Sequence, residues 1–134
     1  MKNKKQVVLT GILMASIFSN VHADSFDESD LERWRAEYMS VVDEGEKLFH
    51  GGLGNENTVS CDQCHPNASN THPETYPKFQ KQIGRVVEQW EMINWCINNP
   101  LEANSLAADD PRMIALQAYI KYERRGVELA PGKH

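Results

Sequence analysis

The feature that most constrains this chain is the pentapeptide Cys61-Asp62-Gln63-Cys64-His65, called the haem motif below. Two thiols separated by two residues can each form a thioether with one vinyl group of a haem. The imidazole that follows is then held beneath the iron as an axial ligand. The motif therefore predicts one covalent haem c, attached through Cys61 and Cys64 and ligated on one side by His65.

Three other structures could contain such a motif: a redox-active dithiol, a zinc site and a disulfide. A thioredoxin-like dithiol needs a βαβ context, which the pattern of this chain lacks. A zinc site needs four converging ligands, and the adjacent Cys64 and His65 rarely reach one metal together. A disulfide across a three-residue step would be unusual. Haem attachment is the interpretation that the motif favours.

The first 23 residues have the composition of an export signal. A positive start is followed by an apolar segment at 7–18, shorter than the roughly 20 residues that span a bilayer. Val21-His22-Ala23 offers a small-x-small cleavage site. We therefore predict a Sec-type signal over residues 1–23, a cytochrome c domain over 24–134, a periplasmic location and no membrane span after cleavage. The alternative is an uncleaved membrane anchor.

The charge of the mature chain restricts its partners. Without the three lysines of the signal segment, 11 basic and 19 acidic side chains remain, a formal charge of −8. Nucleic-acid binding needs clustered Lys and Arg, so this function is excluded. A basic redox partner, such as another c-type cytochrome, suits the acidic surface, although such a surface also serves solubility alone.

Apolar periodicity predicts an all-α domain of about three main helices around one covalent haem, with no convincing strand. The first helix begins at a capping box formed by Ser29 and Glu32 and ends at the glycines that start at Gly51. Its predicted buried stripe is Leu31, Trp34, Tyr38, Val41, Val42, Leu48 and Phe49.

The two later helices follow from the same pattern. One is predicted over about 79–98, before Pro100, with a stripe of Ile83, Val86, Val87, Trp90, Ile93 and Ile97. The last begins with Asp110 as N-cap and Pro111 at the first position, and buries Met113, Leu116 and Ile120. Irregular loops are predicted over residues 66–79 and 100–109.

The second axial ligand is open at this level of reasoning. Met39, Met92 and Met113 are candidates, but a Met at helical spacing more often fills a core, and Met92 alone lies on the polar side of its helix. Cys96 is a lone thiol in an oxidising compartment, which suggests pairing with another chain or a special role. A thiolate ligand would lower the reduction potential relative to Met.

Two resemblances extend this interpretation. The segment Gly45–Phe49 ahead of the motif resembles the end of the first helix of class I cytochromes c, in which a carboxy-terminal helix packs across that helix. Residues 61–132 resemble the cysteine-ligated haem domain of SoxA, and similar domains occur in thiosulfate dehydrogenases. The matching segments are the haem motif, His72–Phe79, Cys96, Asp110–Ile120 and Arg125–Gly132.

The resemblance to SoxA implies ligation of iron by His65 and Cys96. SoxA is a subunit of periplasmic thiosulfate-oxidising cytochromes and has a basic residue near its ligating cysteine. Arg124 is the nearest match to that residue, but another alignment places Glu123 there, beside an anionic substrate. Two features of SoxA differ from this chain. SoxA chains are longer, and they act with a second cytochrome subunit.

Three functions are consistent with these observations. The first is a one-electron carrier linked to sulfur-compound respiration or oxidation, in which case the protein is not itself an enzyme. The second is a catalytic SoxA-like subunit acting on thiosulfate or tetrathionate, with Cys96 and Arg124 as candidate site residues. The third, weaker one is a small-ligand-binding haem protein.

Of the histidines, His72 is expected to bond a haem propionate or the backbone, and His50 and His134 to be solvated.

Overall fold

The computed structural model describes residues 27–128 and is mostly helical, which confirms the predicted all-α class. The predicted signal segment and His134 lie outside these residues. No helix between residues 27 and 128 is long and apolar enough to cross a membrane. The elements are α1 (Glu28–Lys47) with a π-helical turn (Leu48–Gly52), α2 (Cys61–Cys64), 3-10 turns Pro66–Ala68 and Pro73–Thr75, β1 (Lys78–Gln80), β2 (Arg85–Val87), α3 (Gln89–Asn98) and α4 (Pro111–Glu123).

Helix α1 begins earlier than the predicted capping box. Asp27 is the N-cap, and its side chain accepts a hydrogen bond from the Asp30 amide at 2.9 Å. Ser29 instead donates its hydroxyl to the Asp27 carboxylate at 2.6 Å. An aspartate caps as well as a serine and adds a negative charge at the positive end of the helix dipole, so the helix starts at the earlier residue.

The predicted buried stripe of α1 is half wrong. Leu31, Trp34 and Tyr38 are 56%, 42% and 45% exposed, whereas Val42 and Phe49 are buried. The reason is the difference in helix length. Helix α4 has 13 residues and crosses the carboxy-terminal half of the 20-residue α1, so the first turns of α1 extend past the helix that buries the rest.

The crossing of α1 and α4 organises the core. Gly45 lies against the α4 backbone so closely that a Cβ there would be 2.0 Å from the Ala115 carbonyl oxygen. A few residues on, the Phe49 ring packs against Tyr119 with ring centroids 5.1 Å apart. Gly45 is therefore required by the close packing of the two helices and not by its backbone angle. The contact of Phe49 with Tyr119 then fixes where the chain leaves α1.

The helix predicted over 79–98 is wrong in its first half. Residues 78–87 form an antiparallel hairpin in which Phe79 pairs with Val86, and helix α3 starts only at Gln89. The turn closes with two amide bonds to the Gln80 carbonyl and has Gly84 at a φ of +79°. Valine and phenylalanine favour strands, and the positive-φ glycine favours a turn, so local conformation prevails over helical spacing here.

The last helix and the loop before it follow the prediction. Asp110 caps α4 by accepting from the Arg112 amide at 2.9 Å, Pro111 takes the first position, and Met113 is fully buried. Loop 100–109 is fastened to α3 by Asn94, whose amide donates to the Leu106 carbonyl at 2.8 Å. Its carbonyl oxygen accepts from the Leu106 amide at 2.9 Å.

The crossing generates a stability prediction. Gly45→Ala places a methyl group inside the contact with Ala115, so the helices must separate, at a cost of about 3 kcal/mol in the free energy of unfolding. Gly84→Ala is the control: nothing lies within 4 Å of a Cβ there, and only the positive φ costs energy, about 1 kcal/mol. Denaturant unfolding of the two haem-containing variants measures both. Equal losses would contradict the close-packing argument.

Candidate haem-binding site

The haem motif forms a single helical turn. Helix α2 spans Cys61–Cys64, and the backbone amide of His65 bonds the Cys61 carbonyl at 3.0 Å. Residues three apart in a helix lie on one face, so the two thiols are neighbours. His65 leaves the helix at a φ of −129°, which redirects its side chain from the turn.

The ring of His65 has its tautomer defined by one hydrogen bond. Its Nδ1 lies 2.8 Å from the Ser69 carbonyl oxygen. A carbonyl only accepts, so Nδ1 carries the hydrogen and donates it. The lone pair is therefore on Nε2, the nitrogen that remains for a metal. A backbone partner of this kind orients metal-binding histidines and makes them better ligands.

Ser69 reaches His65 because the chain reverses sharply after the motif. Asn67 and Ala68 have φ values of +49° and +55°, and the Ser69 amide closes the turn on the Pro66 carbonyl at 2.9 Å. Ala68 is completely buried where this turn packs against α4. The loop predicted over residues 66–79 is thus irregular, as expected, but it is packed and hydrogen-bonded.

The two motif cysteines differ in burial. Cys61 is half-buried against the core, whereas Cys64 is exposed, and all three cysteines are free thiols. Burial raises the pKa of the Cys61 thiol to about 12, and charges on Cys96 and Asp62 raise it further. In residues 27–128 no group of three or more His, Cys, Asp or Glu side chains could hold a metal ion.

Cys96 lies near the haem motif. It is half-buried in α3, and burial together with the charge of Cys64 raises its thiol pKa to about 11. The charge of Cys96 in turn contributes to the raised pKa of the Cys61 thiol. The fold thus brings the lone cysteine of the sequence close to both haem-attaching cysteines. A bound metal would favour the thiolate form that this environment otherwise disfavours.

Helix α3 holds Cys96 by contacts on both sides. Glu88 and Glu91 form the capping box that begins the helix, and the Cys96 carbonyl accepts from the Leu101 amide at 3.2 Å. The paired bonds of Asn94 to Leu106 tie the middle of the helix to loop 100–109. These fixed points define where the thiol lies.

The methionine candidates separate by burial. Met113 is fully buried in the core and Met39 packs partly against it, as expected of core-filling residues. Met92 is half-buried and lies one turn before Cys96, on the same face of α3. Both candidate ligands of α3 therefore share a face, and Cys96 is the one whose charge acts on the motif.

Tyr76 is a neighbour of Cys96 that the motif analysis did not single out. Burial raises the pKa of its phenol to about 12, and the charge of Cys96 contributes. The hydroxyl accepts a hydrogen bond from Gln80 Nε2 at 2.6 Å, and Lys78 Nζ lies 4.6 Å from the ring centroid. Its place in the His-Pro-x-x-Tyr-Pro segment was the signal that could have identified it.

His72 and Arg124 lie together near the end of α4. His72 is 7% exposed, and its Nδ1 is 3.1 Å from Glu74 Oε1. The positive charge of Arg124 also acts on the Glu74 carboxyl, whose pKa is lowered. Arg124 Nε is buried with no hydrogen-bond partner among the described residues. His72 thus bonds a carboxylate side chain, and a buried donor nearby suits a further anionic group such as a propionate.

His50 is exposed to solvent, as expected, but its ring is also hydrogen-bonded on both sides. Its Nδ1 lies 2.9 Å from Asp62 Oδ2, and its Nε2 lies 3.3 Å from the Tyr119 hydroxyl. Hydrogen bonds from Ser60 and then His50 hold the pKa of the Asp62 carboxyl below its usual value. Tyr119 is 69 residues away in sequence, so no local pattern could have revealed this contact.

Comparison with known proteins agrees with the site. The family model described as SoxA/TsdA, cytochrome c domain, matches residues 44–129, well over half of the chain. This chain belongs to the SoxA/TsdA cytochrome c domain family and is a c-type cytochrome haem domain. No curated protein has a sequence that matches it significantly. The family match begins inside α1 and includes the Gly45–Phe49 segment, the haem motif and Cys96.

The donor set fits the haem c that a cytochrome c domain binds covalently. Two unpaired thiols lie one helical turn apart, and the adjacent imidazole has Nε2 free because Nδ1 is committed to Ser69. Cys61 and Cys64 would hold the porphyrin through thioethers, and His65 would bind its iron.

Covalent attachment can be tested by removing the thiols. In Cys61→Ala/Cys64→Ala protein, made in a host that matures c-type cytochromes, we expect acidified acetone to extract all pigment, because no thioether remains. Wild-type protein should retain its haem, and so should the matched control Cys96→Ala, which leaves both attachment thiols in place. Extraction of pigment from the wild type would contradict the assignment.

Proposed function

We propose that this protein is a periplasmic one-electron carrier with a single haem c, ligated by His65 and Cys96 and linked to the oxidation or respiration of sulfur compounds. The observation that carries the proposal is the proximity of Cys96 to the motif cysteines within a domain of the SoxA/TsdA family. The bound haem supplies a single electron transfer between ferric and ferrous iron, and the chain supplies the environment that sets its potential.

The choice of Cys96 as ligand is supported by its neighbours. Its charge acts on Cys61 and Tyr76, and the charge of Cys64 acts on it, so its thiol lies close to the attachment cysteines. A thiolate is a good ligand of ferric iron and lowers the reduction potential. The half-buried Tyr76 phenol, on which the charge of Cys96 acts, would limit the access of water.

The carrier is favoured over catalysis by the charges around Cys96. The groups that act on its thiol are the surrounding protein, through burial, and Cys64, both of which disfavour a negative charge. Arg124, the candidate for binding an anionic sulfur substrate, acts instead on Glu74. A catalytic SoxA-like subunit is the second candidate, since the family comprises SoxA and TsdA domains.

The location and partner are inferred from the sequence. The export signal over residues 1–23 supports the periplasm, where haem c attachment in bacteria takes place. The acidic mature chain supports a basic docking surface on the partner, for example on another c-type cytochrome. Raising the ionic strength should therefore slow electron exchange with such a partner.

The iron ligand has a direct spectroscopic test. Electron paramagnetic resonance of the ferric wild type should show a low-spin thiolate signal that is lost in Cys96→Ala, because no other sulfur anion remains near the iron. The reduction potential of that variant should rise. Met92→Ala is the matched control, one helical turn away, and should keep the wild-type spectrum. If the spectrum of Cys96→Ala is the same as that of the wild type, thiolate ligation is rejected. It is also rejected if Met92→Ala is the variant whose spectrum changes.

Carrier and catalyst are distinguished by turnover. As a carrier, the reduced protein should exchange electrons rapidly with an oxidised c-type cytochrome and show no turnover of thiosulfate or tetrathionate. Steady-state assays with each compound measure this, with the Cys96→Ala variant as control. Turnover that is lost in Cys96→Ala would instead assign the protein to the catalytic class.

A further inference from the structure

A chain of three polar side chains joins the haem motif to the crossing of α1 and α4, and haem attachment does not require it. Asp62 lies between the two attachment cysteines, His50 bonds Asp62, and Tyr119 bonds His50. The His50 imidazole is thus bonded directly to a residue of the haem motif, between the two cysteines that attach the haem. Its ring also contacts Phe49 and Tyr119 edge-on, with centroids 5.9 and 6.1 Å away, which holds it in place.

We propose that His50 is a proton-binding site coupled to the haem iron, taking up one proton when the iron is reduced and releasing it on oxidation. This inference rests on the proposed one-electron function. One electron comes from the donor protein and one proton from water. The products are ferrous iron and a His50 imidazolium, formed by a new N–H bond at Nε2.

Both protonation states fit the observed geometry. In neutral His50, Nδ1–H donates to the Asp62 carboxylate at 2.9 Å and Nε2 accepts from the Tyr119 hydroxyl at 3.3 Å. In charged His50, both nitrogens donate, and the Tyr119 oxygen accepts after its hydroxyl hydrogen rotates. Proton uptake therefore needs no movement of the backbone.

Solvent and charge both permit the exchange. The His50 side chain is 38% exposed, so protons reach it from water directly. Burial, and then the charges of Glu123, Glu46 and Asp62, raise the pKa of Tyr119, so this phenol stays protonated and acts only as a hydrogen-bond partner. The titratable groups around His50 are Asp62 of α2, Tyr119 and Glu123 of α4, and Glu46 and Lys47 of α1.

The coupling follows from the net charge of the pair. Protonated His50 with ionised Asp62 is neutral overall, whereas neutral His50 leaves one negative charge next to the haem linkage. An electron added to the iron makes that negative charge less favourable and so strengthens proton binding. Histidine is the side chain that changes charge between about pH 5 and 8. The reduction potential should therefore fall as the pH rises through this range.

The test is a redox titration of the haem-containing protein between pH 5 and 9, followed by haem absorbance. In the wild type, we expect the ferric-to-ferrous equilibrium constant to change by about threefold to tenfold across the range, because solvent weakens the interaction between a partly exposed charge and the iron. In His50→Gln, this dependence should disappear. Asp30→Asn is the control: it removes an ion-paired titratable group, bonded to Arg33 at 2.6 Å, in the first turn of α1 at the other end of that helix from His50, and should keep the wild-type dependence.

Two further measurements protect the test from a folding defect in one variant. In Asp62→Asn, the pH-dependent window should move to lower pH, because the charge that favours imidazolium is gone; an unmoved window contradicts the proposal. In the wild type, NMR titration of the His50 ring should give a higher midpoint in the ferrous than in the ferric protein. Equal midpoints, or a dependence that persists in His50→Gln, overturn the proposal.

Failure of this inference is distinguishable from failure of the carrier function. A reversible one-electron couple whose potential is independent of pH rejects the role of His50 alone. Absence of any reversible couple rejects the carrier itself.

Discussion

The close crossing of α1 and α4 is the contact on which the rest of this domain depends. Gly45 lets the two backbones meet at Ala115, and that approach brings Phe49 and Tyr119 into ring contact. The chain leaves α1 through a π-helical turn directly after this contact. The start of the segment that leads to the haem motif is therefore set by helix packing.

From that crossing, short hydrogen-bonded connections organise the site. The turn after the motif brings the Ser69 carbonyl to the His65 ring. The two hydrogen bonds between Asn94 and Leu106 hold the helix that contains Cys96. Neither connection provides much stability alone, because a neutral hydrogen bond contributes only about 1 kcal/mol. Their effect is orientation, because they fix the position of a ligand nitrogen and of a thiol.

Two errors in the predicted elements show what helical spacing leaves undetermined. Helical spacing alone could not show that Leu31 and Tyr38 extend past the end of α4, since that depends on the relative length and position of two helices. The strand-forming residues Phe79 and Val86 also have helical spacing, and hairpin pairing with a turn at Gly84 decided between the two structures. From Asp110 onward, the predicted cap, the proline at the first position and the buried stripe were all confirmed.

The sequence by itself determined the haem attachment segment, the last helix and the family, because spacing within a few residues is enough to specify a thioether pair, an N-cap or a motif. Only the tertiary structure decided which groups meet across long separations. Cys96 near Cys64, and His50 between Asp62 and Tyr119, are placed by packing of helices distant in the chain. Periodicity gives the face of a helix, but the neighbour that covers that face is set by the fold as a whole.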